Sequence, residues 1–307
     1  LILLVVDSFA PKAFETSFLS LDLDDGLNEP ALELDTNGYM FVSGQYMNDI
    51  GTMKEASVQK FAEKVNAISE QYLKDSENVF YAVIPSKNYY VNHRLPTPFD
   101  YDGMNNILRN QITGAVGINL YPYLGFDDYL KTDFHWKQEN LQKVVDRLGE
   151  SLGFDIDLAQ FKKNTYDSFT GQYGYGKPDF LKETLTYLTN QATDTAVVDN
   201  YQDKEFKKVY HTDKLTTTSA YDVFLSGPTP LITIQNDNAT SDKELIIFRD
   251  SFSSSLAPLL IDAYKEITLI DIRYVMSSKL GEFVDFHGQD VLFLYNDQIV
   301  NNSDMLK

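Results

Sequence analysis

The chain has 307 residues, 43% of them apolar and 13% aromatic, which is enough for one large domain or two modest ones. Its 26 Lys and Arg against 45 Asp and Glu leave a net charge of −19, a field that repels phosphate backbones; no basic stripe compensates it, so nucleic acid is excluded as a partner. Cysteine is absent, which removes disulfides, thiolate metal sites and a cysteine nucleophile together.

The opening 1-LILLVV-6 is too short to span a bilayer or to make the core of a signal peptide. It suits either an N-terminal strand or the remnant of a signal anchor, and residues 1–34 are set apart as an N-terminal extension. From residue 35 onward, short apolar runs rich in β-branched and aromatic residues predict buried strands, first 39-YMFVS-43 and then 78-NVFYAVIP-85. Between them, Val58, Phe61, Ala62, Val65, Ile68 and Tyr72 recur at spacings of three and four, which predicts a helix over 55–74 with one apolar face. The same period in Leu141, Val144, Val145, Leu148 and Leu152 predicts a helix over 138–153.

From 155 to 240 the composition shifts to Thr, Tyr, Asp, Asn and Gly, as in 165-TYDSFTGQYGYGKPDF-180, with no sustained helical period. This stretch reads as an irregular, Tyr-rich insertion of short strands and loops covering an edge or the mouth of the core. The remainder, 241–307, supplies strands at 244–250, 267–274 and 290–296 and a helix over 253–266. Strand–helix–strand order on both sides of the insertion predicts a three-layer α/β domain with a mainly parallel sheet, built from 35–154 and 241–307. No run approaches the ~18 uninterrupted apolar residues that a membrane helix needs.

Two stretches carry possible chemistry. In 244-ELIIFRDSFSSSLAPLL-260, Ser251 falls between the end of a strand and the start of a helix, the crevice where open α/β sheets bind ligands and where backbone amides favour negative charge. No G-x-S-x-G surrounds it, and a serine there also serves as an ordinary N-cap. In 131-KTDFHWKQE-139, Asp133 stands two residues before His135 and can accept from its Nδ1, leaving Nε2 free to take a serine proton. Alternatively Thr132 or Asp133 caps the following helix and His135 is a surface residue. The other histidines, His93, His211 and His287, make no paired motif with an acid, and no H-E-x-x-H supports a metal. Asp24-Asp25 and Asp127-Asp128 invite a glycosidase reading, but in so acidic a chain they fit solvated surface better.

Four stretches together resemble the bacterial family named for its Asp-His-His-Trp motif (DHHW), which is similar to the SGNH-hydrolase-like alginate O-acetyltransferases. They are 37-NGYMFVSGQ-45, 81-YAVIPSKNYYVNHRLP-96, 129-YLKTDFHWKQENLQKVVDRL-148, and 247-IFRDSFSSSLAPLL-260 with 270-IDIRY-274. Phe134 stands where the family usually has its first His. The resemblance implies a three-layer SGNH-like fold and a Ser-His-Asp triad of Ser251, His135 and Asp133. The oxyanion donors would be the amides of Ser251 and Phe252, with Arg273 a further candidate whose plainer role is a salt bridge at a strand end. It further implies an extracytoplasmic O-acyltransferase that acetylates a cell-surface polysaccharide, without cofactor or metal, beside a membrane-bound O-acyltransferase that supplies the acyl group. In the insertion, Tyr166, Phe169, Tyr173 and Tyr175 offer stacking surfaces to sugars or form a small core of their own. A carbohydrate esterase with the same triad is one alternative. A noncatalytic polysaccharide-binding or scaffold protein is the other, kept open by Phe134 and by the missing glycine before Ser251.

Overall fold

A computed structural model describes residues 32–34, 38–177, 179–204 and 207–307; the apolar start 1-LILLVV-6 lies outside the described residues. The described chain enters through a small antiparallel sheet of β1 (Glu33–Leu34), β2 (Met40–Val42) and β3 (Gln45–Met47). Ser43 and Gly44, both at positive φ, make the tight turn between β2 and β3, a conformation that matches the twist of a hairpin. There follow α1 (Glu55–Tyr72), β4 (Val79–Ile84), α2 (Tyr101–Gln111), β5 (Val116–Ile118) and α3 (Gln142–Leu152). A hairpin of β6 (Lys162–Phe169) and β7 (Glu183–Thr189) leads through α4 (Gln191–Thr195) to β8 (Val197–Asn200) and β9 (Leu231–Gln235). The chain ends with β10 (Glu244–Arg249), α5 (Ser253–Leu256), β11 (Glu266–Ile270), β12 (Asp290–Asn296) and α6 (Asp297–Val300).

Seven strands form the main sheet in the order β5-β4-β12-β10-β11-β9-β8. The first five run parallel, and β9 and β8 continue the sheet through antiparallel pairs. Alternation along the central strands divides the core into two layers. Leu245, Ile247, Leu292 and Leu294 face α3 and the segment after α5, whereas Ile246, Phe248, Val291 and Phe293 face α1 and α2. This is the expected three-layer, mainly parallel architecture. Among the described residues no helix is long and apolar enough to cross a membrane.

Two features differ from the sequence reading. The stretch 155–240 is not wholly an irregular insertion, because β8 and β9 lie inside it and extend the main sheet. Their runs, 197-VVDN-200 and 231-LITIQ-235, are four and five residues long, and such short runs give little periodicity to read. The helix expected over 253–266 is α-helical only as far as Leu256 and then tightens to a 3-10 turn over Ala257–Leu260. Pro258 has no N–H to donate, and its ring would crowd the carbonyl of Ser254 in a continuing α-helix.

Candidate active site

Ser251 occupies the turn between β10 and α5, at the carboxyl edge of the sheet. The turn is shaped by its neighbour Asp250, whose two carboxylate oxygens accept from the amides of Phe252 (3.0 Å) and Asn296 (2.6 Å). The first contact is an Asx turn that bends the backbone around Ser251. Two of the serines that follow are committed to the scaffold. Ser254 Oγ accepts from the buried Arg249 at 2.8 Å, and Ser255 Oγ accepts from Trp136 Nε1 at 2.8 Å and from Tyr221 Oη at 2.9 Å. No side chain caps α5, so the capping role open to Ser251 in the sequence is not the one it takes.

His135 Nε2 lies 2.7 Å from Ser251 Oγ, and its Nδ1 lies 2.6 Å from Asp133 Oδ1. The acid is anchored twice more, since its Oδ1 accepts from the His135 amide at 3.0 Å and its Oδ2 from the Gln172 amide at 2.9 Å. Neither Thr132 nor Asp133 caps α3, whose N-cap is Leu141. Burial alone would raise the Asp133 carboxyl, but the charge of His135 and the bonds from His135 and Gln172 outweigh it and hold the group below the usual range. The three residues singled out in the sequence are thus brought into one hydrogen-bonded chain.

Aromatic rings enclose the imidazole. Tyr221 stacks on it with 3.8 Å between centroids and 7° between planes, and Phe134 lies at 4.1 Å. Phe134 therefore sits beside His135 without replacing it. Phe252 is buried, packs on His135 at 4.8 Å and on Trp136 at 5.4 Å, and has already given its amide to Asp250. It is not free to serve as the oxyanion donor the sequence suggested, because the Asx turn that positions Ser251 consumes that N–H. Arg273 does line the cavity, in a two-point bond to Asp271 (2.9 and 2.6 Å) that leaves Nη1 over. Burial would depress its guanidinium, yet the bond and charge of Asp271 raise it above the ordinary value.

The cavity around Ser251 and His135 measures about 720 Å³ and opens between the 169–177 loop, the 218–228 segment and Arg273-Tyr274. Tyr175 is exposed at its rim, whereas Phe169 and Tyr173 are buried, so only part of the insertion's aromatic set faces outward. His211 Nε2 donates to Lys208 O and His287 pairs with Glu244, both apart from this chain of residues.

Sequence reasoning passed over the residues that hold the base loop. Glu183, from β7, accepts from the amides of Lys131 (2.8 Å) and Thr132 (2.7 Å) and from Thr132 Oγ1 (2.6 Å). Lys87 is buried, donates to Leu130 O at 2.6 Å and Tyr46 O at 2.9 Å, and lies 5.5 Å from the centroid of the Tyr173 ring. Burial pushes it down to about 7, partly opposed by Asp133 and Glu183. Gly171 packs so closely on the acid that an added Cβ would fall 2.3 Å from Asp133 Cβ. The one available signal was that Lys87 falls inside 81-YAVIPSKNYYVNHRLP-96, a stretch that carries the family resemblance; lysine itself is mostly exposed in proteins, so nothing in its chemistry marks it as buried.

The fold places the protein among three-layer α/β proteins, with the loop that carries Asp133 and His135 ahead of Ser251 in the chain. It is similar to a DHHW family protein from Eubacterium siraeum, at 20% identity over 91% of this chain and 100% of that one, with a TM-score of 0.71. It is also similar to Bacillus cereus PatB1 carrying a sulfonyl adduct (19% identity, 85% and 97% covered, TM-score 0.69). The O-acetyltransferase domain of Pseudomonas putida AlgJ is a more distant likeness (11% identity, 89% and 93% covered, TM-score 0.50). At these identities the likeness shows the fold, and it is the fold that the DHHW resemblance implied. No protein-family model matches the chain, and no curated protein matches it in sequence.

Proposed function

We propose that the protein is an extracytoplasmic O-acyltransferase that acetylates hydroxyls of a polysaccharide through an acyl-enzyme on Ser251. The observation that carries this reading is the continuous Asp133–His135–Ser251 hydrogen-bonded chain opening into a cavity large enough for sugar units. His135 takes the Ser251 proton as Oγ attacks the donor's acyl carbon, and returns it to the departing group. An acceptor hydroxyl then attacks the acyl-serine and gives its proton to His135, which restores the free serine. Asp133 keeps the imidazole in the tautomer that presents a bare Nε2 to the hydroxyl and steadies the imidazolium.

The Ser251 amide makes no hydrogen bond among the described residues and is the backbone donor offered to the oxyanion, with Arg273 Nη1 as a candidate partner. The donor in this reading is a membrane-bound O-acyltransferase that delivers the acyl group across the membrane. The named O-acetyltransferase activity of the AlgJ domain supports the reaction class. PatB1 carries a sulfonyl adduct, and the same chemistry supplies a direct test. A sulfonyl fluoride should label the Ser251 peptide, seen by mass spectrometry, and should block hydrolysis of a small activated acetyl ester. Labelling elsewhere with hydrolysis intact would remove Ser251 as the nucleophile.

A further inference from the structure

One carboxylate in the cavity has no part in the acyl-enzyme chemistry. Asp222 lines the same space as Ser251 and follows Tyr221, the residue whose ring lies flat on His135. It is half-buried among Ala220, Tyr221, Phe224 and Pro228. Among the described residues neither of its oxygens takes a hydrogen bond or an ion pair. Half-burying a carboxylate without partners is costly, and proteins retain such a group where something else supplies the donors.

The backbone beneath it is fitted to that carboxylate. Leu225, Ser226 and Gly227 have φ of 53°, 62° and 82°, and two of them are residues for which the left-handed region is strained. Gly227 lies directly under the group, since an added Cβ would stand 2.5 Å from Asp222 Oδ1 and 2.6 Å from its Cγ. A side chain at 227 would displace the carboxylate from the cavity wall.

The other charges on the cavity are already engaged. Arg273 is bound at two points to Asp271, and Lys177 donates to Tyr173 O while lying 5.1 Å and 5.0 Å from the ring centroids of Tyr39 and Phe180. Asp133 is committed to His135 and Gln172. Burial raises the Asp222 carboxyl, with Lys214 and His135 opposing and Asp133 adding to the shift. A sugar entering the cavity therefore meets, among the described residues, one uncommitted carboxylate, in a chain of net charge −19.

We infer that Asp222 is an acceptor-binding carboxylate, which takes hydrogen bonds from hydroxyls of an uncharged glycan next to the hydroxyl being acetylated and turns away glycans that carry carboxylates. The inference rests on the acyl-transfer reading above. A sugar diol offers two O–H donors to the two oxygens, a charge-assisted pair that orients the ring. A uronate would bring a second carboxylate against an unneutralised one, and rejection by like charge is a strong source of specificity.

The test uses the full chain, 4-nitrophenyl acetate as donor, and cellohexaose and hexagalacturonate as acceptors at low salt. The unaltered protein should acetylate cellohexaose with a kcat/KM about tenfold or more above that for hexagalacturonate. Asp222→Ala should lower the ratio of transfer to hydrolysis on cellohexaose by about tenfold, the worth of a hydrogen bond to a charged group. Asp222→Asn keeps the shape and can still bond a hydroxyl, so it should chiefly narrow the preference against the uronate, by about fivefold or more. Melting curves of both variants show whether each is folded, and the isosteric Asn variant decides the matter if the Ala variant is not. Preference for the uronate in the unaltered protein, hydrolysis without transfer to either glycan, or an unchanged preference in folded Asp222→Asn each overturns the inference. Absence of ester hydrolysis in the unaltered protein overturns the acyl-enzyme reading itself and the inference with it.

Discussion

The base loop and the nucleophile turn are held by opposite means. Ser251 is placed by its own neighbourhood: β10 ends in the middle of the sheet, Asp250 bends the next residues, and Arg249 reaches five residues on to Ser254. His135 is placed by distant chain, with Lys87 holding Leu130 from 43 residues away, Gly171 and Gln172 donating to Thr132 and Asp133 from 39 away, and Glu183 gripping Lys131 and Thr132 from more than 50 away. A turn on a strand end inherits precision from the sheet. An irregular loop has to acquire it through polar cross-links, each of which is vulnerable to one substitution.

The largest expected effects come from the residues where the two regions meet. Ser251→Ala and His135→Ala should each reduce hydrolysis of an activated acetyl ester by up to about 10⁶-fold, and the double variant should lose little more, because members of one catalytic unit are not additive. Additive losses measured in that double-variant cycle would show that the two side chains act separately. Asp133→Asn tests the next link. It should leave the melting temperature nearly unchanged while the rate falls by up to ~10⁴-fold through the wrong imidazole tautomer; unaltered turnover would reduce Asp133 to a scaffold residue.

Substitutions that loosen one region only should separate them more finely. Glu183→Ala removes the acceptor for three donors of the base loop, with an expected loss of about 3 kcal/mol in denaturant melts and about 10²-fold in turnover as His135 shifts. On the other side, Ser254→Ala deprives Arg249 of one bond and should cost ~1 kcal/mol with less than about tenfold in rate, since the sheet still fixes the turn. Equal kinetic penalties for the two would erase the contrast.

The last expectation, on stability alone, concerns Lys87, which burial lowers from 10.5 to about 7. Between those values the unfolded chain holds a proton that the folded chain has released, so stability from this group rises with pH across that window, by at most about 1.4 kcal/mol per unit. Below about pH 7 both states are protonated and the slope vanishes. Lys87→Met should therefore flatten the pH dependence of the melting temperature between 7 and 10 without altering it below. A slope that survives the substitution would have to come from other groups.

The same contrast explains what the sequence made legible. Apolar runs revealed β4, β10, β11 and β12 because central parallel strands are apolar on both faces, and the turn after β10 followed directly from that. Asp133 and His135 stood out as a pair two residues apart. Glu183, Lys87 and Gln172 did not, since a lone polar residue acquires its partner only when the chain folds, and nothing in its immediate neighbours records that partner. Phe252 misled for a related reason: its position in the turn was right, but the claim of Asp250 on its amide is a side-chain choice that spacing does not reveal. Short strands were expected within 155–240, but not that β8 and β9 would extend the main sheet, because runs of four and five residues do not say which sheet they join.

The pairing of β4 with β12 also governs when the site can first assemble. Val79 lies beside Val291 and Ile84 beside Asn296, so the strand that separates β4 from β10 is the last of the described strands to leave the ribosome. Contacts of such long sequence separation close late in folding, after the loop entropy of the whole intervening chain has been lost. The base loop emerges more than a hundred residues ahead of Ser251, and the edge on which they meet has no middle until residue 296 is in place. A nascent chain that stops short of β12 therefore lacks an aligned Ser251 and His135.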